Sequence, residues 1–273
     1  MGFDLHTHTA ASDGTVSAGE LVLLAKSVGL KGIAITDHDT VAGIAEALQA
    51  GAKLGITVIP GIEISSTYQD EEIHILGYFP DWKDKTFLGR LLELKTEREK
   101  RAKKIISRLV KLGYRLNFGE VQKIAGKGVV GRPHIASSLV EKGYVNSLEE
   151  AFDEFLEKGS KAYFPRKKLP LAEALALLKD AKAVPVLAHP GIISSNIKLE
   201  PIIAEGIEGI EVYHPIHSAR QVEKFIKLCR DKGLISTGGT DFHGKRRDVD
   251  LGKVSVNSSV VKLLIKKREE LYV

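Results

Sequence analysis

Short apolar runs alternate with amphipathic segments along most of the chain. "GFDLHTH" reads as a strand, and "SAGELVLLAKSVGL" then places apolar residues at helical spacing behind Ser17, a natural N-cap. "KGIAITDHD" is a second strand, "VAGIAEALQAGAKLG" a helix, and "ITVIPGIEIS" and "EEIHILGYF" two further strands. After residue 168 the rhythm resumes: "LAEALALLKDA" is helical, "VPVLAHP" a strand, "LEPIIAEG" a helix and "IEGIEVYHP" a strand. "SARQVEKFIKLCRDKG" and "LISTGGTDFH" complete the alternation, and "VKLLIKKREELYV" forms a last helix. Strands alternating with helices predict an α/β fold with a mainly parallel sheet or barrel.

Between these two stretches the strand signal disappears. "DKTFLGRLLELKTEREKRAKKIISRLVKLG" reads as one long charged helix. Three shorter ones follow, "NFGEVQKIAGKG", "GRPHIASSLVEKG" and "SLEEAFDEFLEKG", each stopped by a glycine. The expected organisation is therefore a discontinuous barrel domain, residues 1–80 and 166–273, carrying a helical insertion domain at 81–165.

Charge follows the same division. The net charge of the 273 residues is +5, but residues 81–168 alone carry +9 and the remainder −4. Histidine is distributed the opposite way: of nine, only His134 lies in the basic segment. At 43% hydrophobic and 27% charged residues the composition is that of a globular protein. No apolar run approaches the ~20 residues of a membrane span, and the first strand begins at Gly2 with no signal-peptide pattern before it. A cytoplasmic location without a membrane or obligate protein partner is expected. The single cysteine, Cys229, excludes an intrachain disulfide and a cysteine-based metal cluster, and its amphipathic context predicts a core role.

Candidate chemistry emerges from where the titratable residues interrupt apolar runs. His6 and His8 end the first strand, one residue apart and hence on one face. Asp13 follows; Asp37 and His38 close "GIAIT", Glu63 closes "ITVIPG", His189 closes "VPVLA" and His214 follows "IEVY". Asp241 and His243 repeat the i, i+2 spacing after "LISTGG", and His74 sits inside "EIHIL". The carboxyl ends of strands are where α/β barrels and open parallel sheets build their sites. A convergence of imidazoles and carboxylates without thiolates suits manganese, zinc or iron(II), and the donors are numerous enough for two or three ions. Asp39 and Asp70 are set apart, the first as a helix N-cap and the second as a loop acid.

These stretches also carry a resemblance. "DLHTHTAASDG", "ITDHDT", "PGIEIS", "EIHILGYF", "LAHPG" and "GTDFHG" resemble, in order, the motifs of the polymerase and histidinol phosphatase (PHP) superfamily of metal-dependent phosphoesterases. The likeness spans residue 4 to about 80 and about 184 to 244. It implies a distorted (β/α)₇ TIM-like barrel with a trinuclear metal site at its C-terminal face, and manganese as the first candidate ion. It also implies His6, His8, Glu63 and Asp241 around a first ion, and Glu63 with His74 and His189 around a second. Asp13, His38 and His243 would hold a third. Every ligand position is filled, which disfavours a metal-free homologue.

"GRPHIA", inside the helical segment, looks like the stand-alone nucleotide phosphatases of this group, which resemble 3′,5′-nucleoside bisphosphate phosphatases and RNA 5′-end trimming exonucleases. On that likeness Arg132 and His134 contact substrate phosphates, and His214 lines the same pocket or supplies a proton. Arginine offers a planar fork to phosphate oxygens; read structurally, Arg132-Pro133 is simply a helix start. The expected activity is hydrolysis of a phosphate monoester of a small nucleotide by metal-activated hydroxide, with Glu63 and Asp241 at the reacting centre. The alternatives are a 5′→3′ exonuclease on short RNA, a histidinol-phosphate phosphatase, or a non-catalytic metal-binding or polymerase-associated module.

Overall fold

In the computed structural model of the chain, seven strands form one sheet in sequence order, β1 to β7, curled into a nearly closed barrel. Residues 2–126, 128–165, 169–246 and 248–272 are described. The strands are β1 Phe3–Asp4, β2 Gly32–Ile35, β3 Thr57–Tyr68, β4 Glu71–Tyr78, β5 Val184–Leu187, β6 Gly209–Tyr213 and β7 Ile235–Gly238. The seam between β7 and β1 is bridged beyond their ends, where the Leu5 N–H donates to Gly238 O and the His8 N–H to Phe242 O.

The helices of the body are α1 Ala18–Ser27 and α2 Ile44–Leu54. The intervening segment carries α3 Lys85–Lys111, α4 Phe118–Ala125, α5 Arg132–Glu141 and α6 Leu148–Ala151. After it come α7 Leu171–Asp180, α8 Leu199–Ala204, α9 Ala219–Lys232 and α10 Ser258–Tyr272. Ser17 caps α1 as its sequence predicts, in a reciprocal box with Glu20. Among the described residues, no helix is long and apolar enough to cross a membrane.

Side-chain alternation sorts each strand into two layers. Ile33, Ile35, Ile62, Ile64, Ile73, Ile75 and Leu187 face outward into the layer shared with helices such as α1, α2 and α7. Leu5, Ala34, Ile59, Leu76, Tyr78, Val184, Val186 and Ile235 form the barrel interior, which Val261 and Leu264 of α10 join. On β3 and β4 the inward rows change character along their length. Ile59 on one strand and Leu76 and Tyr78 on the other are apolar, whereas Glu63 and His74 continue the same rows. The interior is thus oily below and titratable above.

One strand departs from the expected parallel arrangement. β4 is antiparallel to both β3 and β5. The β3–β4 connection is Gln69-Asp70, both with left-handed φ of 49° and 67°, the requirement of a tight two-residue hairpin turn. Two residues cannot return a chain to the barrel's far end, so β4 has to descend. Asp70 is therefore a turn residue, as expected of a loop acid. Reversal also explains His74, which lies near the start of its strand and yet at the rim where the other strands end.

The segment between β4 and β5 is helical and builds a core of its own from Ile105, Leu109, Val121, Ile135, Leu139, Phe155 and Leu156. The start of α3, through Phe87 and Leu91, and the whole of α7 pack instead in the layer around the barrel. The last predicted helix of the segment, "SLEEAFDEFLEKG", widens after Ala151 into a π-type turn at Phe152–Leu156. Cys229 is buried, as its pattern predicts.

Across the barrel floor the Tyr78 hydroxyl donates to the Leu5 carbonyl at 2.9 Å, and neither side chain is exposed. Removing that donor strands a buried carbonyl. Tyr78→Phe is expected to destabilise the protein by about 1–3 kcal/mol, read as a shift in urea midpoint with the slope unchanged.

Candidate metal centre

All nine residues singled out as ligands meet at one rim. His6 and His8 leave β1, His38 follows β2, Glu63 stands in β3 and His74 in β4. His189 follows β5, while Asp241 and His243 follow β7. Their donor atoms form three overlapping groups, His6–His8–Glu63–Asp241, His8–Asp13–His38–His243 and His38–Glu63–His74, each with all atoms within 4.8 Å of one another. His189 adds Nε2 at 3.1 Å from Glu63 Oε1. The first group is the set the resemblance implies. In the others His8 and His38 stand between neighbouring groups.

Glu63 is the hub, fully buried with an imidazole beside each carboxylate oxygen. Oε1 lies 2.9 Å from His74 Nδ1, and Oε2 lies 3.0, 3.2 and 3.3 Å from His38 Nδ1, His8 Nε2 and His6 Nε2. His6 Nε2 and His8 Nε2 are only 3.1 Å apart. The His6 proton is committed elsewhere, since Nδ1–H donates to Glu211 Oε1 at 3.0 Å. Its Nε2 is then a lone pair, surrounded by the oxygens of Glu63 and Asp241. Glu63 Oε2, His74 Nδ1, His38 Nδ1, His8 Nδ1 and His243 Nε2 are buried with no hydrogen-bond partner among the described residues. Facing lone pairs repel unless a proton or cation sits between them. Metal–nitrogen bonds of about 2.0–2.1 Å place tetrahedral ligand atoms roughly 3.3 Å apart, which matches these spacings. The donor set fits divalent cations.

Without a cation, protons fill the same role. Burial alone favours neutral His8, yet Asp241 and Glu63 hold its proton and raise it to about 9. Burial likewise opposes charge at His74, but Glu63 and Glu72 raise it to about 10. At His38 burial wins and pushes the ring down to about 4. Burial works to neutralise Glu63, and His38, His6 and His74 overcome it, holding the carboxyl well below its usual range.

Several further contacts, two of them made by carboxylates that sequence reasoning passed over, Glu211 and Asp4, keep this geometry. Glu211, fully buried on β6, accepts from His6 Nδ1–H and from the His189 backbone N–H at 2.8 Å, fixing ligands of two groups with one carboxylate. His243 Nδ1 donates to the Asp241 carbonyl at 2.7 Å, which leaves Nε2 for the site. Asp37 accepts from the Thr9 N–H, the Thr9 hydroxyl and the Ser12 hydroxyl, tethering the loop that carries Asp13. Asp4 does the same for the opposite loop, accepting from the Thr240 N–H and hydroxyl and from the Gly252 N–H. The signal available was a lone acid inside an apolar strand, as in "IEGIEVYHP" for Glu211. Gly239 packs so close beneath the first ligand that a Cβ there would lie 2.4 Å from His6 N.

Asp39 is not the helix N-cap it resembles in sequence. α2 begins at Ile44 behind Gly43, with no side-chain cap. Asp39 instead accepts from the Ser65 N–H and, buried, pairs with the Arg98 guanidinium of α3 at 2.6 Å. Its φ of 53° is left-handed, as are His189 at 27° and Asp241 at 53°. Such strain costs roughly 1–3 kcal/mol per residue and gathers at functional sites.

Beside the donors opens a cleft of about 180 Å³ whose lining includes Asp13, His38, His74 and Glu72 together with Arg98, Arg101 and Arg132. Arg132 is both the first residue of α5 and a cleft residue, 3.6 Å from Glu72. His134 is placed differently from its expected phosphate contact. Its ring is 1% exposed, its Nδ1 accepts from the Gly131 N–H as part of the cap of α5, and the cleft wall runs through Gly131, Arg132 and Pro133 above it. His214 lies at the rim, with Nε2 3.7 Å from Asp241 Oδ2. His217 is a backbone staple, donating to Val212 O and accepting from the Gly191 N–H.

The description "PHP domain" fits residues 4–164. The chain is 33% identical over 258 residues to the 5′-3′ exoribonuclease Rnm of Escherichia coli, covering 92% of this chain and 88% of that one. It is 30% identical over 246 residues to the 3′,5′-nucleoside bisphosphate phosphatase of Chromobacterium violaceum, covering 88% and 86%. A solved structure described as a metal-dependent phosphoesterase, from Bifidobacterium adolescentis, superposes with a TM-score of 0.91 at 32% identity, over 98% of this chain and 96% of that one.

Glu211 yields a prediction that needs no substrate. Glu211→Gln keeps the shape but removes the charge that holds the proton on His6 Nδ1. Calorimetric titration of the folded variant with manganese is expected to show affinity lowered about 10–100-fold. An unaltered titration would refute the role.

Proposed function

The chain belongs to the PHP domain family, and from that premise we propose that it hydrolyses a phosphate monoester of a small nucleotide of the 3′,5′-bisphosphate type. The broader activity stands on firmer ground: like its relatives named exoribonuclease and bisphosphate phosphatase, it is a hydrolase of phosphoric esters. The observation that carries the finer reading is the cleft, which three guanidiniums line together with metal-type donors. The imidazoles and carboxylates suit cations, and the guanidiniums suit phosphate oxygens. A nucleotide bisphosphate has one phosphate for each.

His6, His8, Glu63 and Asp241 would hold one ion, Glu63, His74 and His189 a second, and Asp13, His38 and His243 a third, with manganese preferred over zinc or iron. Bound there, divalent cations would lower the pKa of water and draw charge from the phosphoryl group. Glu63 keeps the first two positions in register, because its two oxygens serve different imidazoles. Arg132, Arg98 and Arg101 fix the remaining phosphate through charge-assisted hydrogen bonds. His134, from beneath, holds the backbone turn that presents Arg132.

His214 is read more narrowly than as a proton donor. Its Nδ1 accepts from the Ile216 N–H, so the neutral ring carries its proton on Nε2, facing the site. Full loss of that proton would leave an imidazolate. The ring therefore donates a hydrogen bond to the leaving oxygen, while the proton that completes the alcohol derives from the attacking water. The P–O ester bond breaks as the new one forms on the opposite side. A second reading, 5′→3′ trimming of short RNA, uses the same machinery and is favoured by the exoribonuclease relative at 33% identity.

With manganese present, the protein is expected to release phosphate from adenosine 3′,5′-bisphosphate, and chelation should stop the reaction until metal is restored. Absence of turnover on this compound and on 5′-phosphorylated dinucleotides would sink both readings. Glu63→Ala should abolish activity in a folded protein. Arg132→Ala should raise the KM for the bisphosphate about 10–100-fold, the worth of one or two hydrogen bonds to a charged group, with bound metal unchanged; parallel loss of metal would contradict its assignment to substrate.

A further inference from the structure

A second chamber of about 240 Å³ adjoins the cleft and has no part in the chemistry described so far. The two share Ser65, Glu72, Arg101 and Arg132, so the guanidiniums stand between the donor cluster and the second space. The wall changes character beyond them. Tyr163, Pro165 and Leu169 bring an aromatic ring and apolar surface, Lys158 a cation, and Asp70 and Glu71 carboxylates from the β3–β4 turn. Arg101, common to both spaces, also packs on the Tyr163 ring, its Cζ 5.6 Å from the centroid.

Phosphate oxygens only accept hydrogen bonds, and carboxylates in the wall repel them. A nucleobase has a flat π face and both donors and acceptors on its edge, and a wall offering a ring, an ammonium and carboxylates matches it. We propose that this chamber is a nucleobase-binding subsite in which the base stacks on Tyr163 while its phosphate stays on Arg101 and Arg132. The inference rests on the reading of the adjoining cleft as a nucleotide phosphate site. It makes Tyr163 the residue by which the enzyme prefers nucleotides to simple sugar phosphates. Stacking of a base on an aromatic side chain contributes about 1–3 kcal/mol, or roughly 5- to 150-fold in affinity.

Binding tests it independently of turnover. Adenosine 5′-monophosphate and ribose 5-phosphate are titrated calorimetrically into the manganese-loaded enzyme. The wild type is expected to bind the nucleotide at least about tenfold more tightly, Tyr163→Ala to bring the two ligands to similar affinity, and Tyr163→Phe to retain the preference. Should the alanine variant fail to fold, Tyr163→Leu removes the ring and keeps the bulk. Equal wild-type affinities, or a preference that survives loss of the ring, overturn the subsite and leave the phosphate cleft standing. Failure of both ligands to bind overturns the cleft as well.

Discussion

A carboxylate with no exposure, ringed by five imidazoles, is the constraint on which the rest of this structure depends. Glu63 faces His6, His8, His38, His74 and His189 at about hydrogen-bond distance, and several of those nitrogens are acceptors already deprived of a proton or a partner. In an apolar barrel such an arrangement is unfavourable by several kcal/mol unless positive charge fills it. The strained backbone at Asp39, His189 and Asp241 and the buried carboxylates of Asp4, Asp37 and Glu211 hold together a geometry that opposes itself in isolation. Binding of cations turns this cost into affinity, because ligands that are already gathered lose little entropy on coordination.

Most of the barrel was legible in the sequence because its signals are local. Period-two alternation marked the strands, 3.6-residue spacing marked the helices, and His6-x-His8 and Asp241-x-His243 put pairs of donors on one face. Since parallel strands all finish at the same rim, a donor at the end of each is enough to predict convergence. The direction of β4 was not legible in this way. Its hydrophobic pattern reads identically up or down, and only the left-handed Gln69-Asp70 turn decides it.

The supporting residues escaped for a different reason. Glu211, Asp4 and Arg98 act through partners far along the chain, His6, Thr240 and Asp39, and a lone acid inside an apolar strand does not by itself say which partner it holds. Asp39 even imitated a helix N-cap, preceding an apolar helical stretch as a cap would. His134 shows the converse. Its motif pointed to substrate; three residues after Gly131 it also lies where a side chain reaches back to its own helix start, and its Nδ1 accepts from the Gly131 N–H.

Reversal of β4 also sets where the helical segment after it begins. A descending strand leaves the chain at the closed end of the barrel, far from the rim where chemistry is possible. β5 starts beside that point, with Tyr78 opposite Val184, yet the next helix carries the chain back up before β5 is reached. α3, at 27 residues, does so in a single rise of roughly 40 Å. Its first turns pack Phe87 and Leu91 on the barrel. Thirteen residues on from its start, about 20 Å higher, Arg98 meets Asp39 next to His38. One further turn delivers Arg101, and only then, from Ala102 onward, does the helix enter the separate core of the helical segment. The basic face of α3 is thus more than a solvated charge pattern. Arg98 and Arg101 fall where the helix crosses the rim, because a two-residue turn fixed which way the preceding strand had to run.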